Sequence, residues 1–163
     1  MNTNSYEEKI QAALDEALNL KRYKEKPQVE IVSSPSYIKE PILVSKSENE
    51  KCLIERSINS VRISYLFPFE TKQESIDKLV GNMLTKFLMR RADAIPIFRR
   101  VAIEGYSISF LITFDHLEKH GKEKILKFLG DFRKDIEKDI NSFKLDLNSQ
   151  ARAIAADCMK LFE

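Results

Sequence analysis

The two histidines of this 163-residue chain, His116 and His120, stand four residues apart. On a helix that spacing puts both imidazoles on one face, where Asp115 and Glu118 could join them around a zinc ion. The segment reads His-Leu-Glu-Lys-His, so its Glu is one place away from where the zinc-protease pattern needs it, and no third ligand follows. The expectation is two exposed, charge-balanced histidines and no metal. Nucleophilic chemistry has less to stand on. There is no Gly-x-Ser-x-Gly, and Cys52 and Cys158 fall in expected regular structure as reduced, partly buried thiols. The four glycines, Gly81, Gly105, Gly121 and Gly130, are too scattered to cradle a phosphate, and Asp135/Asp139 belong to a charge-rich helix face. No set of groups for acid–base work converges, so neither an enzyme nor a cofactor is expected.

The basic pairs are more informative. Arg90-Arg91 closes an expected helix, where the negative end of the helix dipole accounts for it. Arg99-Arg100 sits in an expected strand. There two readings stay open: edge protection against sheet-to-sheet pairing, or recognition of an acidic macromolecule.

The positioning elements follow from periodicity. Ser5-Tyr6-Glu7-Glu8 has capping-box spacing, and Ile10, Ala13, Leu14, Ala17 and Leu18 continue it as a helix to about Tyr23, with Lys21, Arg22 and Lys24 at its end. Val29–Val32 reads as a short strand and Ile42–Lys46 as another. Lys51–Arg56 and Ile58–Leu66 are extended, rich in β-branched residues, and stopped by Phe67-Pro68-Phe69. Thr71–Arg91 is a helix with a stripe of Ile76, Leu79, Val80, Met83, Leu84, Phe87 and Leu88. Ile95–Phe114 is a hairpin turning at Glu104-Gly105. Tyr106, Ile108, Phe110, Ile112 and Phe114 form one apolar face; Ser107, Ser109, Leu111 and Thr113 form a partly wet one.

A further helix runs from 121 or 122 to Phe143 through Ile125, Leu129, Phe132, Ile136 and Ile140. At about 22 residues it spans roughly 33 Å. A last helix carries Ala151, Ile154, Ala155, Cys158, Leu161 and Phe162 on one side. The expected fold is α+β, a two-layer α/β unit with a mostly antiparallel sheet. Its order is α-β(3-4)-α-β(2)-α, with a C-terminal helical extension. Residues 1–117 form the helix-plus-sheet part. Residues 118–163 form the long and C-terminal helices, packed on the sheet and on a partner as part of one structural unit. The two terminal helices offer more apolar surface than one small sheet needs. Either part of it is buried against another chain, or both helices pack home.

The net charge of +2, from 27 basic and 25 acidic residues, argues against a dedicated nucleic-acid binder. No apolar run approaches the roughly 18 residues that span a bilayer, and the polar start is unlike a secretory signal. A soluble cytoplasmic protein is expected.

Several stretches match a known family in order. They are Leu53-Ile54-Glu55-Arg56-Ser57-Ile58-Asn59-Ser60-Val61-Arg62, Met89-Arg90-Arg91-Ala92, Phe98-Arg99-Arg100, Glu104–Thr113, and Asn148 through Ala151-Arg152 to Met159-Lys160-Leu161-Phe162. On these the chain, from about Pro27 to Phe162, resembles the subunit 4 family of the actin-related protein 2/3 complex, the branched-actin nucleator. The resemblance implies a non-catalytic scaffold of the actin cytoskeleton. It implies a heterodimer with the larger subunit 2 through long helices, and an assembly with the actin-related proteins and other subunits that lies on the mother filament. Arg99, Arg100, Arg152 and Lys160 match basic positions for the filament. Phe128, Leu129, Phe132, Ile136, Ile140, Phe143, Ile154, Leu161 and Phe162 become the expected subunit interface. Arg56 stands where the family usually has Gly, Val101-Ala102 replaces Lys-Pro, and Gln150 replaces Arg. The alternative is a free-standing, secretion-chaperone-like module of similar fold that holds a client peptide.

Overall fold

Alternation along three strands builds the sheet, and matched register turns it into rows of apolar side chains. The computed structural model describes residues 3–23, 26–30, 38–68, 98–100 and 102–138. Within them the strands are β1 (Ile38–Ser47), β2 (Glu50–Ser57), β3 (Ser60–Leu66), β4 (Phe98–Arg100) and β5 (Ile108–Thr113). They form one sheet in the order β1-β2-β3-β5-β4, and all four pairings are antiparallel. Helix α1 (Thr3–Ala17) precedes the sheet; α2 (Phe114–His120) and α3 (122–138) follow it. The α+β class and the antiparallel sheet expected from sequence are both present.

Register explains the core. Val44 stands opposite Cys52, Cys52 opposite Tyr65, and Tyr65 opposite Ile108. The next row runs Ile42, Ile54, Ile63 and Phe110. Against these rows α1 sets Tyr6, Ile10 and Leu14, with Leu18 just beyond its end, and α3 sets Ile125, Leu129, Phe132 and Ile136, all in one buried cluster. Their intervals of three and four residues put each set on one side of its helix. Phe132 is the aromatic hub. Its ring lies edge-on to Phe110 at 5.1 Å and reaches Tyr65 at 6.1 Å and Phe67 at 6.4 Å. Such edge-to-face contacts add about 1 kcal/mol each to simple burial.

The other face of β3 and β5 departs from expectation. It is dry where the sequence suggested partial wetting: Leu111 is 1% exposed, and Ser64 and Ser109 are fully buried. A serine can be dry when its hydroxyl has a partner inside the fold. Here the Ser64 and Ser109 hydroxyls bond each other at 2.8 Å, and Ser109 Oγ also accepts from the Ile103 amide at 3.2 Å. On neighbouring β2, Glu55 grips Arg62 of β3 with two 2.8 Å bonds, and that pairing raises the Arg62 pKa.

Three boundaries also differ. Helix α1 starts at Thr3, so Ser5 lies inside it rather than at its cap, and it ends at Ala17 instead of near Tyr23. Tertiary hydrogen bonds replace its last turn, for the Lys21 amide donates to the Ile58 carbonyl at 2.9 Å. Lys21 and Arg22 therefore serve no helix dipole. Arg22 instead pairs with Glu118 and lies 5.1 Å over the Phe114 ring. The expected strand at Val29 is a single 3-10 turn, Gln28–Glu30. Its amides are taken elsewhere, Gln28 N–H by Asn59 Oδ1 at 2.9 Å, Val29 N–H by Ser60 Oγ at 3.1 Å and Glu30 N–H by the Pro27 carbonyl at 3.2 Å, so none is left for a ladder. The hairpin turn is where expected, and Gly105 supplies it at φ +88°, a conformation other residues resist. The expected helix at 71–91 and the last helix lie outside the described residues.

Candidate interaction surfaces

β4 closes one end of the sheet order, so Arg99 and Arg100 belong to an outermost strand of the described sheet. Arg99 stands in register with Phe110 and Arg100 with Ser109. The pair is therefore tied by backbone hydrogen bonds to the best-buried strand, β5, which fixes its place on the molecule. Arg152 and Lys160, the other two basic residues expected at a filament, lie outside the described residues, as do Arg90 and Arg91.

Four residues of the expected subunit interface, Phe128, Leu129, Phe132 and Ile136, lie on α3. Leu129 and Ile136 are fully buried within this chain, and Phe132 and Phe128 are 4% and 9% exposed. Side chains sealed against β3 and β5 cannot also bury against another chain. The sheet takes this stripe because its core rows, from Val44 to Ile108 and from Ile42 to Phe110, need a full helix face above them. Ile140, Phe143, Ile154, Leu161 and Phe162 lie outside the described residues.

His116 and His120 are half-buried rather than exposed. His116 acts as a cap. Its Nδ1 accepts the Thr113 amide at 3.0 Å at the start of α2, which requires the neutral ring with its proton on Nε2. Burial, and then the neighbouring His120, pull its pKa below the ordinary histidine value. Among the described residues no group of three or more His, Cys, Asp or Glu could hold a metal. Cys52 is fully buried, and burial pushes its thiol up to about 12, so it offers no thiolate near neutral pH.

Three residues matter that periodicity alone did not flag. Asn59, in the β2–β3 turn, is 4% exposed and binds the chain that follows α1. Its Nδ2 donates to the Tyr23 carbonyl at 2.6 Å and the Lys26 carbonyl at 3.0 Å, while its Oδ1 accepts from Gln28. Arg56 forks onto the Glu40 carbonyl of β1 at 3.0 and 2.6 Å, beside the register shift that Pro41 accompanies. A glycine there could satisfy no such carbonyl. Arg133 is a charged residue yet only 1% exposed, with Glu137 at 2.6 Å, Glu7 at 3.2 Å and the Tyr6 ring at 5.6 Å. The available signal was its place four residues after Leu129 with an opposite charge four residues on.

Comparison with known proteins gives a consistent picture. The family model for the ARP2/3 complex 20 kDa subunit (ARPC4) matches residues 1–161. The actin-related protein 2/3 complex subunit 4 of Dictyostelium discoideum is 38% identical over 137 residues, covering 84% of this chain and 79% of that one. The probable subunit 4 of Caenorhabditis elegans is 37% identical over 164 residues, covering 96% and 95%. The subunit 4 of Saccharomyces cerevisiae is 38% identical over 154 residues, covering 90% and 88%. The chaperone-like reading finds no support among these relatives. With a family match along nearly its whole length and relatives this similar, the chain belongs to the ARP2/3 complex 20 kDa subunit family.

Proposed function

We propose that this chain is the small core scaffold of an actin-nucleating ARP2/3 complex. In this role it pairs with the larger subunit 2, helps to hold the actin-related proteins, and touches the mother filament through Arg99 and Arg100, joined by Arg152 and Lys160. The observation that carries the reading is the family match from residue 1 to 161. A scaffold role also suits a fold whose described polar groups are spent on internal staples, at Asn59, Glu55–Arg62 and Arg133, rather than gathered around a cavity. No reaction is assigned to the chain, and it works in the cytoskeleton of the cytoplasm.

The filament contact rests on chemistry. Actin's surface is acidic in this reading, and a guanidinium makes forked bonds to carboxylates that an ammonium does not. With a net charge of only +2, attraction to a filament must come from such a local pair rather than from the whole molecule. Arg99→Ala combined with Arg100→Ala should weaken filament binding of the assembled complex about tenfold or more, and make the residual binding less salt-sensitive. Assembly should be intact. Co-sedimentation with filaments at two salt concentrations reads both effects. Equal binding and equal branching by mutant and parent complexes would remove the pair from the contact.

The pairing with subunit 2 falls to apolar residues other than the α3 stripe that the sheet consumes, with Ile140, Phe143, Ile154, Leu161 and Phe162 as the candidates. Ile154→Asp with Leu161→Asp should abolish copurification with subunit 2. Retention of the pair in stoichiometric amounts would move the interface elsewhere.

A further inference from the structure

Helices α1 and α3 are joined edge to edge by a charged seam. Its contacts climb α1 as they descend α3, so the two helices run antiparallel. Glu7 reaches Lys134 at 2.9 Å and Arg133 at 3.2 Å. One turn on, Gln11 lies against Gly130, its Nε2 only 2.6 Å from where a Cβ there would stand. Farther along, Lys122 takes Asp15 at 3.1 Å and Asn19, just past the end of α1, at 2.8 Å. Glu7, Gln11, Asp15 and Asn19 follow one another at four-residue intervals, so they continue a single edge of the helix.

Apolar burial alone does not choose this alignment. The inward side of α1 repeats every four residues, as Ile10, Leu14 and Leu18 in one row and Ala13 and Ala17 in the next, all of them buried. A slide of four residues, about 6 Å toward the N-terminus, puts Leu14 where Ile10 was and Ala17 where Ala13 was. The connector permits that slide. Drawing out the steps from Ala17 to Lys21 from helical to extended rise lengthens them by up to roughly 7 Å, ahead of the anchor between the Lys21 amide and the Ile58 carbonyl. The charges do choose. After the slide Gln11 would face Arg133, and Asp15 and Asn19 would leave Lys122. Arg133 is 1% exposed, and in the seated register its acids are Glu137 at 2.6 Å and Glu7. Among the described residues its Nε and Nη2 have no hydrogen-bond partner. A guanidinium this dry tolerates the loss of one of two carboxylates poorly, because the charges beside it are what offset its desolvation.

We propose that Arg133 is the positioning residue that sets the register of α1 against α3, by taking Glu7 rather than Gln11 from the seam edge of that helix. The apolar rows supply the attraction, and Arg133 supplies the choice among alignments. Selecting one register from several that bury apolar surface equally is the best-attested use of a buried charge. Lys134 does not make the same distinction, since its side chain is 54% exposed and water serves it in either alignment.

Disulfide trapping in the full chain, or in the complex that holds it, reads the register directly. Gln11→Cys with Gly130→Cys reports the seated alignment, and Gln11→Cys with Lys134→Cys reports the slid one. Peptide mass spectrometry separates both from pairs made by Cys52 or Cys158. A disulfide needs its Cα atoms within about 7 Å, so a slide of about 6 Å distinguishes the two reports. With Arg133 in place the 11–130 bond should form about tenfold or more faster than the 11–134 bond. Arg133→Met keeps apolar bulk and removes the charge, and should slow 11–130 about threefold or more while speeding 11–134 by at least as much. Glu7→Gln removes the partner on α1 and should act in the same direction, so either variant suffices if the other fails to fold. A folded variant with the parent's trapping pattern would overturn the proposal. So would loss of the 11–130 bond without gain of 11–134, which means that α1 detaches rather than slides.

Discussion

Asn59 shows how much one side chain can determine. With its hydrogen bonds made in a nearly dry turn, it ties the segment after α1 to the β2–β3 turn. Asn59→Ala leaves several backbone groups unpaired where water enters poorly, which should cost about 2–3 kcal/mol. Urea unfolding would read that loss, and a midpoint unchanged from the parent would contradict the staple. His116 makes a prediction about pH. Its pKa is lowered, so its capping contribution is full above the unfolded histidine value of about 6.5 and is lost as pH falls through its folded value. His116→Ala should cost about 1 kcal/mol at neutral pH and progressively less in acid. A penalty that is the same at both ends of a pH series would mean that the ring serves packing and not the cap. The sequence made both residues visible without making their roles visible. His116 drew notice as a metal ligand because spacing was known and burial was not, and Asn59 lay in a matching stretch as one polar residue among several. What decides both is which distant backbone groups arrive beside them, and a local pattern does not carry that information.

At the scale of elements, periodicity did its work wherever burial is periodic. Ile108, Phe110 and Ile112 of β5, and the stripe from Ile125 to Ile136 of α3, all lie in the core. It failed where tertiary hydrogen bonds to the β2–β3 turn override propensity, from the Lys21 amide to the Ile58 carbonyl and from the Gln28 and Val29 amides to the Asn59 and Ser60 side chains. It also failed on the second face of β5, since alternation of apolar and small polar residues does not distinguish a wet serine from one paired across strands. The α3 stripe carries the most consequential difference. Its apolar surface was legible, but the owner of that surface was not. If the sheet owns it, Phe132→Ala opens a cavity in the aromatic cluster and should destabilise the chain by about 3–5 kcal/mol. A thermal scan of the chain would register this directly. A variant as stable as the parent that fails only to bind subunit 2 would return Phe132 to an interface.

At the scale of the whole molecule, the described fold is a five-stranded sheet with two helices on one face, an outer strand carrying an arginine pair, and a long helix whose inner face is buried in the core. The family was legible in the sequence because its matching stretches are long and in order. The partner geometry was not, because an amphipathic face looks the same whether its own sheet or another polypeptide covers it.

The most direct measurement is affinity capture of the tagged full-length chain from native cytosol, with mass spectrometry of everything retained in constant proportion. The scaffold account predicts subunit 2, two actin-related proteins and the remaining subunits, surviving high salt together. Recovery of the chain alone, or only with copies of itself, would contradict it.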